Sequence, residues 1–151
     1  MIYSRSAEYA IRAVVHMATL PSGELAMAKN IAADTGIPSH FLAKILQELA
    51  RDGFLRSSKG PRGGFCLRQT PEEITMFKIV EAVDGTGRYY RCIGGSPECN
   101  DRAPCGMHDS WQALRSRIIE YLEGTSAADL AKALVEKRKL HTRPPRRGTK
   151  R

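Results

Sequence analysis

The spacing of apolar residues predicts an amphipathic helix near the N-terminus. Five apolar residues recur at intervals of three and four: Ala10, Ala13, Val14, Met17 and Ala18. This is the period of an α-helix with one buried face, and we expect it to span residues 6–20 and to stop at Pro21. The other side carries Glu8, Arg12 and His16, four residues apart, and we interpret this stripe as a solvated face.

Two shorter helices are predicted directly afterwards. The first covers residues 27–35 and ends at Gly36; the second covers 39–52, with Ser39 as its N-cap and Gly53 after its end. The stripe predicted to face inward is apolar: Phe41, Leu42, Ile45, Leu46 and Leu49. The outward stripe is polar: His40, Lys44, Gln47 and Arg51. A helix, a tight turn and a second helix with a polar outer face is the arrangement that places a recognition helix in the major groove of DNA.

A basic β-hairpin is predicted after this pair of helices. Residues 54–57 and 65–68 have the pattern of strands, and the glycine-rich residues 58–64 join them. Lys59 and Arg62 are the cations of the tip, and Gly63 allows close approach of the backbone to phosphate. We therefore predict a mainly α fold with a small β wing, a winged helix-turn-helix. The residues expected to contact DNA are Ser39, His40, Lys44, Gln47, Arg51, Lys59, Arg62 and Gly63.

The second half of the chain is predicted to be helical as well. Thr75 can cap a short helix that ends at Asp84 and Gly85, and Ser126 can cap a last helix over residues 127–140. Between these two helices, a further helix is predicted over residues 109–123. It carries a narrow apolar seam that begins just before the helix: Met107, Trp111, Leu114, Ile118 and Tyr121. Such a seam suits either core packing or contact with a second helix, and we favour a homodimer.

Three cysteines and a histidine form the most informative motif of the chain. Cys92, Cys99, Cys105 and His108 follow the pattern C-x6-C-x5-C-x2-H in a segment broken by glycine and proline. Thiolate and imidazole are the ligands that zinc and iron–sulfur clusters recruit. The alternative is a set of buried or disulfide-bonded cysteines, but a polar, glycine-rich loop has little core for them to enter. Cys66 lies in a strand-like run and is interpreted as a packing residue.

Charge and composition argue against a membrane protein and against an enzyme. The net charge is +8, and the tail from His141 has five cations and no acid, so we expect a disordered arm that adds phosphate contacts or solubility. No long apolar run or signal sequence is present, which predicts a cytoplasmic protein without membrane contact, where disulfides are disfavoured. The sequence shows no catalytic acids or phosphate-binding loop, so we do not expect an enzyme or an electron carrier.

Four segments together resemble the IscR/NsrR family of bacterial winged-helix transcription regulators. They are residues 6–13, the wing 59–65, residues 79–85 and the cysteine loop. The resemblance covers residues 1–135. It implies a homodimer joined through helix 109–123, binding to double-stranded promoter DNA as a repressor, and an iron–sulfur cluster in each subunit with Cys92, Cys99 and Cys105 as ligands.

The family implies two candidates for the fourth ligand. The iron–sulfur-biogenesis branch uses a histidine three residues after the last cysteine to hold a 2Fe–2S cluster, and His108 matches that position. The nitric-oxide-sensing branch uses a carboxylate from the first helix of the other subunit, and Glu8 stands there. We favour His108 and a 2Fe–2S cluster, with Glu8 and a 4Fe–4S cluster as the alternatives.

The sequence thus predicts four regions and a sensing function. Residues 1–84 would form the DNA-binding domain, 85–108 the cluster-binding loop, 109–140 the dimerisation and C-terminal helices, and 141–151 the basic tail. DNA binding would respond to iron–sulfur status, redox state or nitric oxide. The alternative is a winged-helix protein that a closed zinc site of Cys92, Cys99, Cys105 and His108 stabilises without redox sensing.

Overall fold

The structure is a computed structural model that describes residues 2–85, 87–96 and 100–142. Its elements in chain order are α1 (Arg5–Ala18), α2 (Ala28–Thr35), α3 (Ser39–Arg51), β1 (Leu55–Ser58), β2 (Gly64–Leu67), α4 (Met76–Asp84), α5 (Gly87–Tyr90), α6 (His108–Glu123) and α7 (Ala127–Thr142). The predicted class, mainly α with a small wing, is confirmed. The described part contains no helix long and apolar enough to cross a membrane.

Helix α1 is the central element of the core. Its apolar face is buried against α2, α3, α4 and α7, as the spacing of its alanines and valines predicts. Ser4 caps the helix through a hydrogen bond from the Ala7 N–H to its Oγ, at 3.1 Å. The Ser4 N–H also donates to Asp84 Oδ2 at 2.7 Å, which holds the start of α1 against the end of α4. The helix therefore begins and ends slightly earlier than the predicted 6–20.

The predicted solvated stripe of α1 is wrong at His16. Its residue is only 5% exposed, whereas the Glu8 and Arg12 side chains are 40% and 42% exposed. The reason is tertiary, since α7 packs along α1 and, together with the end of α2, covers its last two turns.

The second and third helices are found where the sequence predicts them, with two corrections. Pro38, not Ser39, occupies the N-cap of α3, and its carbonyl accepts from the N–H groups of Phe41 and Leu42, both at 3.1 Å. Ser39 is the first residue of the helix and makes no capping hydrogen bond. Phe41 is 49% exposed and not inward, because it lies at the edge of the apolar stripe.

The wing is a two-stranded antiparallel hairpin that a third segment supports. Arg56 pairs with Cys66 in the middle of the register, and the Cys66 thiol is buried as the sequence predicts. Both strands lie one residue away from their predicted positions. Ala26 forms a bridge to Phe65, and a Cβ on Gly64 would overlap the Ala26 backbone. Gly64 also has φ 153°, so glycine suits this close approach.

The later helices follow their predicted caps. Thr75 Oγ1 accepts from the Lys78 N–H at 3.3 Å at the start of α4, and Gly85 ends that helix with φ 72°. At the start of α7, Ser126 and Asp129 form a capping box, with each side chain accepting from the other residue's N–H. Helix α7 continues to Thr142, so residues 141 and 142 are helical rather than part of a disordered tail. Residues 143–151 of the predicted tail lie outside the described residues.

Candidate functional site

The outer face of α3 presents the side chains predicted to read DNA. All five of these residues are exposed: Ser39, His40, Lys44, Gln47 and Arg51. The opposite face is anchored by Leu42, Leu46 and Leu49, which are fully buried. Because a helix packed in this way cannot rotate, its polar stripe has a fixed direction away from the core.

An aromatic row extends this face toward α1, and sequence reasoning missed it. The rings of His40 and Phe41 lie 4.1 Å apart, and those of Phe41 and Tyr9 lie 6.2 Å apart. The Arg12 guanidinium stands over the Tyr9 ring at 5.8 Å and donates to the Thr35 carbonyl at the end of α2. A half-exposed ring beside a histidine that is predicted to contact DNA is suited to contact a thymine methyl group. The sequence feature that could have indicated this exposure is the position of Phe41 in the first turn of α3, at the edge of the apolar stripe.

The wing carries its two predicted cations at an exposed tip. Lys59 and Arg62 are exposed, and Gly60 reverses the chain between them with φ 101°. Gly63 is buried, and a Cβ there would overlap backbone atoms of Ser58, Lys59 and Gly60. The close approach at Gly63 is therefore to its own hairpin, and a contact of Gly63 with DNA stays a prediction.

The cysteine segment starts from a short helix that the sequence did not predict. In α5, Tyr89 is 3% exposed, and its hydroxyl donates to the Ile2 carbonyl at 3.2 Å. Further along, the Trp111 indole N–H on α6 donates to the Arg91 carbonyl at 3.1 Å. These two contacts hold the chain on the N-terminal side of Cys92 against the core and against α6.

Cys92 and Cys105 both lie near the N-terminal end of α6. A Cβ on Gly94 would stand 3.2 Å from Met107 Cε and 3.8 Å from Cys92 Sγ, so the turn after Cys92 touches the residue before the helix. The His108 N–H donates to the Cys105 carbonyl at 3.0 Å. Cys92 is half-buried and Cys105 is exposed.

His108 is the first residue of α6 and is held by a carboxylate. The residue is 8% exposed, and its Nε2 lies 2.9 Å from Asp101 Oδ1. The preceding Asn100 side chain accepts from the N–H groups of Arg102 and Ala103, at 3.0 and 3.1 Å, which shapes the turn that presents Asp101. Asp101 was not identified from the sequence, although a carboxylate seven residues before the histidine was visible in the loop.

The predicted ligands are brought together only in part. Cys92, Cys105 and His108 share one end of α6, while Cys99 lies outside the described residues. Within the described ranges, no group of three or more His, Cys, Asp or Glu residues is arranged to hold a metal ion. Glu8 forms an ion pair with Arg12 of its own helix at 3.5 Å. The donor set of thiolates and one carboxylate-bound imidazole nevertheless fits a zinc ion or an iron–sulfur cluster in its chemistry.

Comparisons with known proteins agree with this architecture. The profile of the Rrf2 family, described as "Iron-dependent Transcriptional regulator", matches residues 3–133. A protein of Aquifex aeolicus (strain VF5) named as an HTH-type transcriptional regulator is 37% identical over 132 residues, covering 86% of this chain and 91% of its own length. The transcriptional regulator IscR of Aliivibrio salmonicida is 31% identical over 123 residues, covering 81% and 72%.

Solved structures show the same fold. CymR of B. subtilis, titled the global cysteine regulator, has a TM-score of 0.71 at 23% identity, covering 86% of this chain and 95% of its own. IscR of T. potens also has a TM-score of 0.71, at 20% identity, covering 89% and 88%. The predicted resemblance is thereby confirmed: this chain belongs to the Rrf2 family of winged-helix transcriptional regulators.

Proposed function

We propose that this protein is a homodimeric repressor whose binding to double-stranded promoter DNA depends on an iron–sulfur cluster held near the N-terminal end of α6. The family membership makes it a DNA-binding transcriptional regulator and not an enzyme. The observation that supports the cluster is local: the turn after Cys92 touches Met107, and the Cys105 carbonyl accepts from the N–H of His108, the first residue of α6. The relatives named IscR support the same reading.

DNA binding would use two elements of different chemistry. The α3 face offers hydrogen-bond donors and acceptors in His40, Lys44 and Gln47, which suit base edges in the major groove. The wing offers Lys59 and Arg62, which suit phosphates on either side of that groove. Two copies related by a two-fold axis would read two half-sites.

The ligand set would consist of Cys92, Cys99 and Cys105 with His108 as the fourth member. Asp101 Oδ1, 2.9 Å from His108 Nε2, would be the carboxylate partner of that imidazole. A carboxylate behind a ligating histidine fixes the ring and raises its basicity. When bound, the cluster would supply sensitivity to oxygen, nitric oxide or iron supply, and 2Fe–2S is the type favoured over 4Fe–4S.

The route from this site to DNA runs through α6. The described chain beside the predicted ligands is tied to α6 at two points, where the Arg91 carbonyl accepts from the Trp111 indole N–H and the Cys105 carbonyl accepts from the His108 N–H. When the three thiolates are no longer held together, the cysteine segment gains freedom and α6 loses a support at its first turn. If the two subunits then space their α3 helices differently, a change of about 2 kcal/mol in binding free energy alters DNA occupancy about thirtyfold.

The test of this proposal is iron and acid-labile sulfide analysis of anaerobically purified protein. We expect iron, sulfide and a visible spectrum, and loss of all three in Cys92→Ala, Cys99→Ala and Cys105→Ala with the fold intact. Cys66→Ala is the matched control, because this thiol is buried and belongs to strand β2 of the wing. Zinc without sulfide in a colourless protein would favour the closed zinc site instead.

The fourth ligand is decided by three further variants. If His108 ligates, His108→Ala changes the anaerobic spectrum, and Asp101→Asn weakens cluster retention without abolishing it. Glu8→Ala should then leave the spectrum unchanged, since Glu8 forms an ion pair with Arg12 of its own helix. If Glu8→Ala changes the spectrum and His108→Ala does not, the ligand is Glu8 of the partner subunit. That result would favour the nitric-oxide-sensing branch of the family.

A further inference from the structure

A cleft of about 440 Å³ lies between α1, α2 and α7; it shares Arg12 with the aromatic row beside the α3 face, and none of the described cluster-ligand candidates lines it. Its floor is apolar, formed by Ile11 and Val15 of α1 with Leu130 and Leu134 of α7. Protein cavities of a few hundred Å³ with an apolar floor and a few polar groups are the usual form of small-molecule sites. Nothing in the DNA-binding or cluster proposal uses this cleft.

The rim of the cleft has an excess of positive charge. Arg12, Lys137 and Arg138 line it, against the single carboxylate of Asp34. An apolar floor under a cationic rim is complementary to an anionic amphiphile.

A buried polar atom marks the same place independently. The imidazole of His16 lines the cleft, its residue is 5% exposed, and its Nε2 lies 3.4 Å from Asp34 Oδ2. The other ring nitrogen, Nδ1, is buried and has no hydrogen-bond partner among the described residues. Unpartnered buried polar atoms are rare in proteins, and each calls for an explanation such as a bound ligand or an ordered water.

We propose that this cleft binds a small organic carboxylate whose apolar body fills the floor. The cleft would then be an effector site that acts on the helix-turn-helix. Asp34 and Thr35, in the last turn of α2, form one wall of the cleft. Arg12 donates to the Thr35 carbonyl, so an anion that draws on the Arg12 guanidinium acts on the helix that precedes the recognition helix. The effector role rests on the proposed DNA binding, whereas the binding site does not.

The binding arm of the test uses full-length protein without DNA. We would titrate 4-phenylbutyrate and its neutral amide, 4-phenylbutyramide, and follow the His16 ring resonances by NMR. The acid should give a saturable shift, and the amide should bind at least about tenfold more weakly because the charge contact is lost. Equal binding of acid and amide, or no saturable shift with the acid, would overturn the proposal.

Variants locate the site on α7. Lys137→Glu and Arg138→Glu should each weaken 4-phenylbutyrate at least about tenfold, and Leu134→Trp should abolish binding by filling the floor. Lys132→Glu is the matched control, because Lys132 is on the same helix but lines a different groove. An equal loss in Lys132→Glu would mean non-specific attraction, and a change of oligomeric state in Arg138→Glu would mean that a second copy covers the cleft; either result overturns the site.

The effector arm measures DNA affinity at saturating 4-phenylbutyrate. A several-fold change that disappears in Arg138→Glu supports regulation through α2. Saturable binding of the acid with unchanged DNA affinity would overturn the effector role and leave the DNA-binding proposal untouched.

Discussion

At the scale of single residues, His16 shows how one side chain acquires properties that its local sequence does not indicate. The pKa of His16 is lowered, chiefly because burial disfavours the charged imidazolium, and Arg138 acts in the same direction. Asp34, from α2, opposes this by attracting a proton, but it does not outweigh the burial. The other charged groups at the cleft are Arg12 of α1 and Lys137 of α7. The imidazole is therefore neutral in the folded protein at neutral pH.

This lowered pKa predicts a loss of stability in mild acid. Above the ordinary histidine pKa of about 6.5, His16 is neutral in both folded and unfolded chains and contributes no pH dependence. As the pH falls below that value, the unfolded chain takes up a proton first, so the free energy of unfolding decreases until the lowered folded-state pKa is passed. His16→Gln should remove this part of the decrease between pH 7 and pH 5, measured by urea unfolding.

The control for His16 is His141→Gln, which changes an exposed imidazole near the end of α7. It should leave the pH dependence as in the parent protein. A His16→Gln protein that loses stability in acid as steeply as the parent would show that His16 does not carry the effect.

At the scale of elements, the proposed DNA interface has two parts, α3 and the wing. The α3 face is rigid and its donors and acceptors differ along the helix, which suits discrimination between bases. The charged side chains of the wing tip are the cations Lys59 and Arg62, so we expect it to bind phosphate without a preference among sequences. Changes in the two elements should therefore have different signatures.

We expect Lys59→Ala and Arg62→Ala to weaken binding to all DNA sequences alike. Each should lower the slope of log affinity against log salt by about one, because one phosphate contact and its released counterion are lost. Changes at His40, Lys44 or Gln47 should instead alter the preferred sequence and leave the slope nearly unchanged. The measurement is fluorescence anisotropy over a salt series, with Lys132→Ala on α7 as the control. An unchanged slope in both wing variants would remove the wing from the interface.

At the scale of the whole molecule, α6 has a face that the single chain leaves uncovered. Only His108 and Leu122 of this 16-residue helix are buried. Leu114 and Tyr121, seven residues apart, are 52% and 61% exposed, and Met107 before the helix is 50% exposed. Large apolar side chains aligned along one side of a helix are typical of a surface that another helix covers.

This face predicts that charged substitutions dissociate the proposed homodimer. Leu114→Glu and Tyr121→Glu should give folded monomers by light scattering, since neither side chain supports the core of its own chain. Binding to a two-fold operator should fall by at least about tenfold, because one half-site is lost. Ser116→Glu, on another side of α6, should remain dimeric. A dimeric Tyr121→Glu protein with normal operator binding would place the interface elsewhere.

The sequence predicted most of the local structure of this protein. Helix period, the caps at Thr75 and Ser126 and the stop at Gly36 depend on residues within one or two turns of each other, and these features are confirmed. The polar face of α3 and the cations of the wing followed from the same short-range patterns, as did the family. The four-region division and the roles of the cysteines stay predictions.

Other features depended on contacts between distant parts of the chain. The sequence places His16 in a polar stripe, but α7, more than a hundred residues later, covers it and lowers its pKa. Short-range patterns likewise missed the contact between Asp101 and His108. They also missed that backbone atoms of the same hairpin occupy the space beside Gly63. Local periodicity determines which face of a helix is apolar, whereas burial, pairing and the shape of a cleft exist only once the elements are packed together.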